Sequence, residues 1–242
     1  MKARIKFRKY GALRFIGHLD VMRYFQKVMR RAEIPIAFTG GYSPHMIMSF
    51  ASPLGIGLTS DGEYFDIELT ASVPSADAVR RMNEAGVEGI EVLSFRQISE
   101  EKKMTGMTIL AGADYLVSVK SGELPGVWKE RFQSFLSQKE ICVVKQTKRS
   151  EREVDIRPLI YDWELRGDSV FLRLAAGSSE NLKPDLVIET FLSDLCNAGL
   201  MQQTEAAGIS FAYHRLELYA DVGIDGARSL VSLESLGTEI AS

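Results

Sequence analysis

Histidine is the side chain whose charge changes nearest neutral pH, and this sequence has three: His18, His45 and His214. His18 lies between Gly17 and Asp20, where a helix is expected to open. There it could meet a phosphate or move a proton, and it is the candidate catalytic residue if the chain is an enzyme. It could equally cap the helix or fill the core. Asp20 suits the positive end of a helix without any chemical role. His45 ends the run Gly40-Gly41-Tyr42-Ser43-Pro44-His45. Two glycines let backbone N–H groups approach an anion, Tyr42 offers a stacking ring, and Ser43 and His45 offer polar contacts. A turn with a surface histidine is the competing reading. No Gly-Lys-Ser/Thr follows, so the run is not a Walker loop. His214 and Arg215 fall in a strand pattern, where a structural role is the default. Three isolated histidines without spaced carboxylates do not make a metal site.

The other chemistry is cationic. Residues 1–31 hold ten Lys or Arg and one acid, Asp20, in a chain of net charge -3. The order Lys2-Ala3-Arg4-Ile5-Lys6-Phe7-Arg8 alternates strictly, so Lys2, Arg4, Lys6 and Arg8 share one strand face and the apolar residues the other. Unpaired charge cannot be buried, so that face must meet water, acids or phosphate. Arg14 and Phe15 could clamp or stack a base, with a place in the core as the competing reading for Phe15. Glu63, Asp66 and Glu68 could instead neutralise the face from a neighbouring strand. A second basic group, Lys145, Lys148, Arg149, Arg152 and Arg157, is interleaved with Glu151, Glu153 and Asp155 and reads first as a charged loop. Residues 217–242 are acidic: Glu217, Asp221, Asp225, Glu234 and Glu239 against Arg228 alone.

The elements that would position these groups repeat. In the first half, strands are predicted at about 2–9, 36–38, 63–69 and 90–93, with helices at about 18–32 and 76–85. Pro35 stops the first helix, whose stripe is Met22, Phe25, Met29 and Ala32, with Arg23, Lys27, Arg30 and Arg31 opposite. In the second half, strands are predicted at about 114–120 and 141–145. A hairpin of 156–163 and 169–174 turns at Arg166-Gly167-Asp168, and a last strand covers 209–219. Helices cover about 127–138 and 184–195. Each half approximates strand–helix–strand–strand–helix–strand. The expected fold is therefore α+β, two tandem ferredoxin-like (βαββαβ) domains at 1–98 and 110–220, joined by a linker at about 97–111. Residues 221–242 read as an acidic tail, with disorder as one option. A central first strand in such a sheet would make Lys2, Arg4, Lys6 and Arg8 a cationic platform, as sheet-based RNA binders have.

Composition narrows the classes. Hydrophobic content of 45% and charge of 25% are ordinary for a globular protein. No run of about 18 apolar residues occurs, so no membrane span is expected. The N-terminus has charge without an apolar stretch behind it, unlike a secretory signal. Cys142 and Cys196 are the only cysteines, which suits a reducing cytoplasm and two packed thiols. Two thiols cannot hold an iron–sulfur cluster within this chain.

Several stretches together carry a resemblance. Leu13-Arg14-Phe15-Ile16-Gly17-His18-Leu19-Asp20, Arg30-Arg31-Ala32, Gly41-Tyr42-Ser43-Pro44-His45, Ser49-Phe50-Ala51, Pro53-Leu54-Gly55 and Gly62-Glu63-Tyr64 resemble the radical-SAM-linked domain family. Val154-Asp155-Ile156-Arg157-Pro158 extends the likeness, which covers about residues 2–220. The family has no established function, and its members occur beside or fused to radical SAM proteins. The resemblance implies an accessory partner of a radical SAM protein, with S-adenosylmethionine and the iron–sulfur cluster on that partner and no cofactor on this chain. The three-cysteine cluster motif and the cobalamin motif Asp-x-His-x-x-Gly are both missing here. No catalytic residue is established for the family, so none is carried over.

Three functions follow as expectations. The first is a non-catalytic accessory that binds or presents an RNA substrate, with Lys2, Arg4, Lys6, Arg8, Arg14, His18, Tyr42, Ser43 and His45 as the nucleic-acid or phosphate-binding set. The second is a metal-independent endoribonuclease. It is similar in outline to CRISPR-repeat endoribonucleases, using His18 with Arg14 or Lys9 on the phosphorane, although their Gly-rich motif near the C-terminus is missing. The third is a protein-interaction module alone.

Overall fold

The computed structural model describes residues 1–146 and 151–241. The chain is mixed α+β with a mostly antiparallel sheet, and it divides into two units. Unit 1 combines Met1–Ala113 with the chain from His214 onward, and unit 2 is Asp114–Tyr213.

Unit 1 contains β1 (Lys2–Lys9), α1 (His18–Arg31), β2 (Met48–Phe50), β3 (Thr59–Glu68), α2 (Ser75–Glu84), β4 (Ile90–Ile98) and the short α3 (Gly106–Ile109). Its strands run in the order β4-β1-β3, with β2 antiparallel on β3. The central β1 pairs antiparallel with both neighbours, which sets Arg4 opposite Asp66 and Arg96. Ala3, Ile5 and Phe7 alternate onto the face covered by α1, whose Val21, Phe25, Val28 and Met29 are buried. Phe25 fixes the packing: its ring lies 4.7 Å from Phe7 and 4.5 Å from Phe65. The expected strand at 36–38 makes only isolated bridges, Ile36 to Leu69 and Phe38 to Met46, because Pro35 and the loop after it prevent a continuous ladder.

Unit 2 begins within β5 (Leu110–Ser121) and ends within β10 (Ser210–Asp221), with strand order β10-β5-β9-β8. Between them lie α4 (Trp128–Leu136), β6 (Cys142–Gln146), β7 (Glu151–Asp155), β8 (Ile160–Arg166), β9 (Ser169–Ala175), α5 (Pro184–Asn197) and α6 (Gln203–Gly208). The β8–β9 hairpin turns at Gly167 with φ +62°, as the Arg-Gly-Asp sequence predicts. The strand expected at 141–145 is present as β6, but it pairs with an unexpected β7 in a separate two-stranded sheet. Phe132 and Phe191 join α4 to α5 edge to face, with ring centroids 4.8 Å apart. Cys142 is exposed and Cys196 half-buried, so the pair of packed thiols is not found.

Two expectations about connecting segments are corrected. The segment at 97–111 is not a free linker: Met104 O accepts from Arg4 at 3.0 Å and Gly106 N donates to Asp66 at 2.7 Å. Residues 221–241 are not a loose tail. β11 (Leu230–Ser232) pairs with β10, and Leu233, fully buried, starts a 3-10 turn to Leu236. Thr238 then exchanges two backbone bonds with Gln97, and Ile240 bonds Ser75 both ways. The reason is in the sequence: Leu230, Leu233 and Leu236 supply apolar anchors, and Glu234 between them meets Lys6 and Arg96 on the sheet.

Candidate functional site

Lys2, Arg4, Lys6 and Arg8 do share a face of β1, but that face is closed rather than open. Arg4 is 2% exposed. Its guanidinium holds Asp66 through two bonds of 2.8 and 3.0 Å and also donates to the carbonyls of Met104 and Leu233. Lys2 donates to Glu100 O at 2.8 Å, with Glu68 at 4.0 Å. Lys6 Nζ sits between Glu217 at 2.8 Å and Glu234 at 3.2 Å. Burial lowers the Lys6 ammonium, but the two carboxylates outweigh it and hold its pKa raised. Tyr64 donates to the second oxygen of Glu217 at 2.6 Å, and burial with that carboxylate drives the phenol upward. Arg8, at the exposed end, pairs with Glu91 at 2.8 Å. The cationic platform is thus replaced by an internally paired layer. Asp66 and Glu68 were legible as partners, whereas Glu217, Glu234 and Leu233 come from the far end of the chain.

A different set of ionisable groups gathers on the helix-covered side of unit 1. Phe7, Lys9, His18, Val21, Phe50, Pro53, Leu54 and Glu63 line a cavity of about 10 Å³, the threshold for one water. The His18 and Phe50 rings stand nearly perpendicular with centroids 5.0 Å apart, and burial lowers the His18 pKa. Lys9 is 2% exposed, and its ammonium donates to Ile16 O at 3.4 Å. Burial pushes its ammonium down, Glu63 partly restores it, and Arg215 pushes the same way as burial. Glu63 is 4% exposed, and burial pushes its carboxyl up against the pull of Arg215. Arg215 Nη1 reaches both Glu63 oxygens at 3.0 and 3.2 Å and Ser52 O at 3.0 Å. β10 can bring Arg215 this close because Gly62 has no side chain: a Cβ there would stand 2.7 Å from Glu217 Cα.

This cluster unites stretches quoted above for their resemblance, since His18, Phe50, Pro53, Leu54 and Glu63 come from four of them. Glu63 was expected to neutralise the Lys2-to-Arg8 face with Asp66 and Glu68; it lies on the opposite face instead, paired with Arg215, for which a structural role was the default. The usable signal was phase: Lys9 and Glu63 continue the apolar faces of Ile5-Phe7 and Phe65-Ile67. Arg215 had no such signal. Its neighbour His214 binds Thr59 through Nδ1 at 2.8 Å and Asp61 through Nε2 at 3.0 Å, fastening β10 to β3 where they pair in parallel.

The remaining candidates stand apart from the cluster. Arg14 places its guanidinium over the Phe15 ring at 4.7 Å. Tyr42, Ser43 and His45 are exposed, Tyr42 completely. Their loop is closed at its base, where Thr39 bonds both the ring and the backbone N–H of His45 at 3.1 Å. In the second basic group, Lys148 and Arg149 lie outside the described residues. Arg157 donates its guanidinium to Ile160 O and its backbone N–H to the Asp155 carboxylate. Among the described residues no cluster could hold a metal ion, and no helix is long and apolar enough to cross a membrane.

Fold and site define a mixed α+β protein whose central cations are spent on internal pairs. The chain belongs to a family described as uncharacterized proteins conserved in bacteria, DUF2344, whose model matches residues 2–184. No curated protein matches it. Among solved structures it is similar to a chain in the crystal structure of a Cbf5-Nop10-Gar1 complex, with 12% identity and a TM-score of 0.44. The match covers 89% of this chain and 48% of that one, so this chain spans about half the other's length.

Proposed function

We propose that this chain is a non-catalytic accessory of a radical SAM protein, which would carry the S-adenosylmethionine and the cluster. One observation carries the reading. Lys9, His18 and Glu63 line a space of only about 10 Å³, with Glu63 already held by Arg215, while Phe15, Leu19 and Ile56 of the neighbouring segments stand exposed. That favours holding another macromolecule over converting a small one. We further read each unit as a ferredoxin-like module. The orders β4-β1-β3-β2 and β10-β5-β9-β8 support this, with β6–β7 as an insertion in the second.

An RNA substrate, if presented, would fall to Tyr42, Ser43, His45 and Arg14, since the β1 cations are engaged. The endoribonuclease reading has one observation in its favour: Lys9 and His18 line the same cavity. Its difficulty is access, because a scissile phosphate needs far more room than one water.

Purification of the natively expressed chain, with bound protein and RNA identified, tests the proposal. Recovery of a stoichiometric radical SAM protein is expected. A chain that elutes alone, or that cleaves RNA without metal, would sink it. RNA presentation predicts retention at about 50 mM salt that falls steeply by about 200 mM.

A further inference from the structure

Lys2, Arg4, Lys6 and Arg8 of β1 each have an acid within 4.0 Å, whereas most cations on the solvent face of α1 do not. Leu19, Arg23, Lys27 and Arg30 follow at spacings of four, four and three, so they form one exposed stripe, with Arg31 beside it. Arg23 has only Asp20, at 3.4 Å with both side chains more than half exposed. Among the described residues, Lys27, Arg30 and Arg31 show no ion pair. The N-terminal end of the stripe is apolar: Phe15 is 59% exposed, Leu19 59% and Ile56 66%. Ile56 is carried there by a loop held to the turn before α1, with Gly57 N donating to Arg14 O at 2.8 Å. A Cβ on Gly17, midway between Phe15 and Leu19, would lie 3.8 Å from Ile56 Cδ1.

Three large apolar side chains gathered on a surface mark an interaction site, and the adjoining unmatched cations say what charge its occupant brings. We propose that this face of α1 docks an acidic amphipathic segment of a partner protein. The segment's apolar side chains would cover Phe15, Leu19 and Ile56, and its carboxylates would meet Lys27, Arg30 and Arg31. RNA suits the face less well. Leu19 and Ile56 are aliphatic and cannot stack on bases, and Phe15 already carries the Arg14 guanidinium. The inference rests on the accessory reading only for the partner's identity, a radical SAM protein.

The test places a benzophenone photocrosslinking residue at position 19 or 56 of the full chain in its host, with exposed position 76 on α2 as control. Irradiation should yield protein adducts at 19 and 56 about tenfold above the control, through a peptide of net negative charge. Lys27→Glu with Arg30→Glu should reduce those adducts about tenfold. Nucleotide or lipid adducts, a peptide without negative charge, indifference to the charge reversal, or no excess over position 76 would each overturn the docking site. An acidic segment from some other protein would keep the site and remove the accessory reading. A radical SAM protein captured only at other positions would do the reverse.

Discussion

β1 and α1 carry similar numbers of cations within the same 31 residues, yet the two sets have opposite fates. On β1, Arg4 and Lys6 sit among Asp66, Glu217 and Glu234 and are largely withdrawn from water. On α1, Lys27, Arg30 and Arg31 stand in solvent. A strand at the centre of a sheet has two faces to cover, so its charges must be matched from within the chain. A helix has a side that never needs covering. Basic residues in a sequence therefore mean different things according to which element carries them: structural pairing on β1, availability on α1.

Arg4→Ala is the change that should separate the two regions most. It leaves Asp66 buried without its bidentate partner, and a loss of about 3–5 kcal/mol in urea unfolding is expected. Leu233→Ala, which empties the apolar anchor over that face, should cost about 2–5 kcal/mol by the same measurement. An effect below about 1 kcal/mol in either would mean the face is not closed in solution.

The pairs around Lys6 predict a pH signature. Burial pushes the Glu234 carboxyl up, but Ser94, Lys6 and Arg96 outweigh it, and its pKa lies below the ordinary value. Its stabilisation is therefore present above about pH 4.3 and fades as pH falls through the lowered folded value. Lys6 is raised, so its share is complete below about pH 10.4 and is lost as pH rises through the folded value. Glu234→Gln should cost about 1 kcal/mol at neutral pH and flatten the acid limb of a stability-against-pH profile. An unchanged acid limb would show that the carboxylate is not paired.

Lys9→Met sharpens the contrast within β1 itself. Its amine is buried without a close carboxylate bond, so removing it should be neutral or stabilising by up to about 1 kcal/mol. A loss comparable to that of Arg4→Ala would assign Lys9 a hidden partner. The smallest effect belongs to α1: Lys27→Ala should move stability by less than about 0.5 kcal/mol, read by thermal unfolding.

Much of the fold was legible because local periodicity decides it. The alternation of β1 and β3, the Pro35 stop and the Gly167 hairpin all follow from neighbouring residues. What could not be read depends on distance along the chain. Arg4 finds Leu233 across 229 positions, and nothing near either residue announces the other. The α1 cations were legible as a solvent face. The cluster at Lys9, Glu63 and Arg215 was half-legible, through two polar residues in phase with apolar ones.

The division of the chain has a consequence for its synthesis. Unit 1 is interrupted by roughly a hundred residues of unit 2, and the acids and Leu233 that close over β1 come after the interruption. At about 5–20 residues per second, a nascent chain holds Lys2, Arg4 and Lys6 without Glu217 or Glu234 for at least several seconds. Unit 2 has all of its residues before unit 1 does. For that interval Lys6 lacks both of its acids and Arg4 has Asp66 without the Leu233 carbonyl, so the pairing of β1 is completed only after unit 2 has been made.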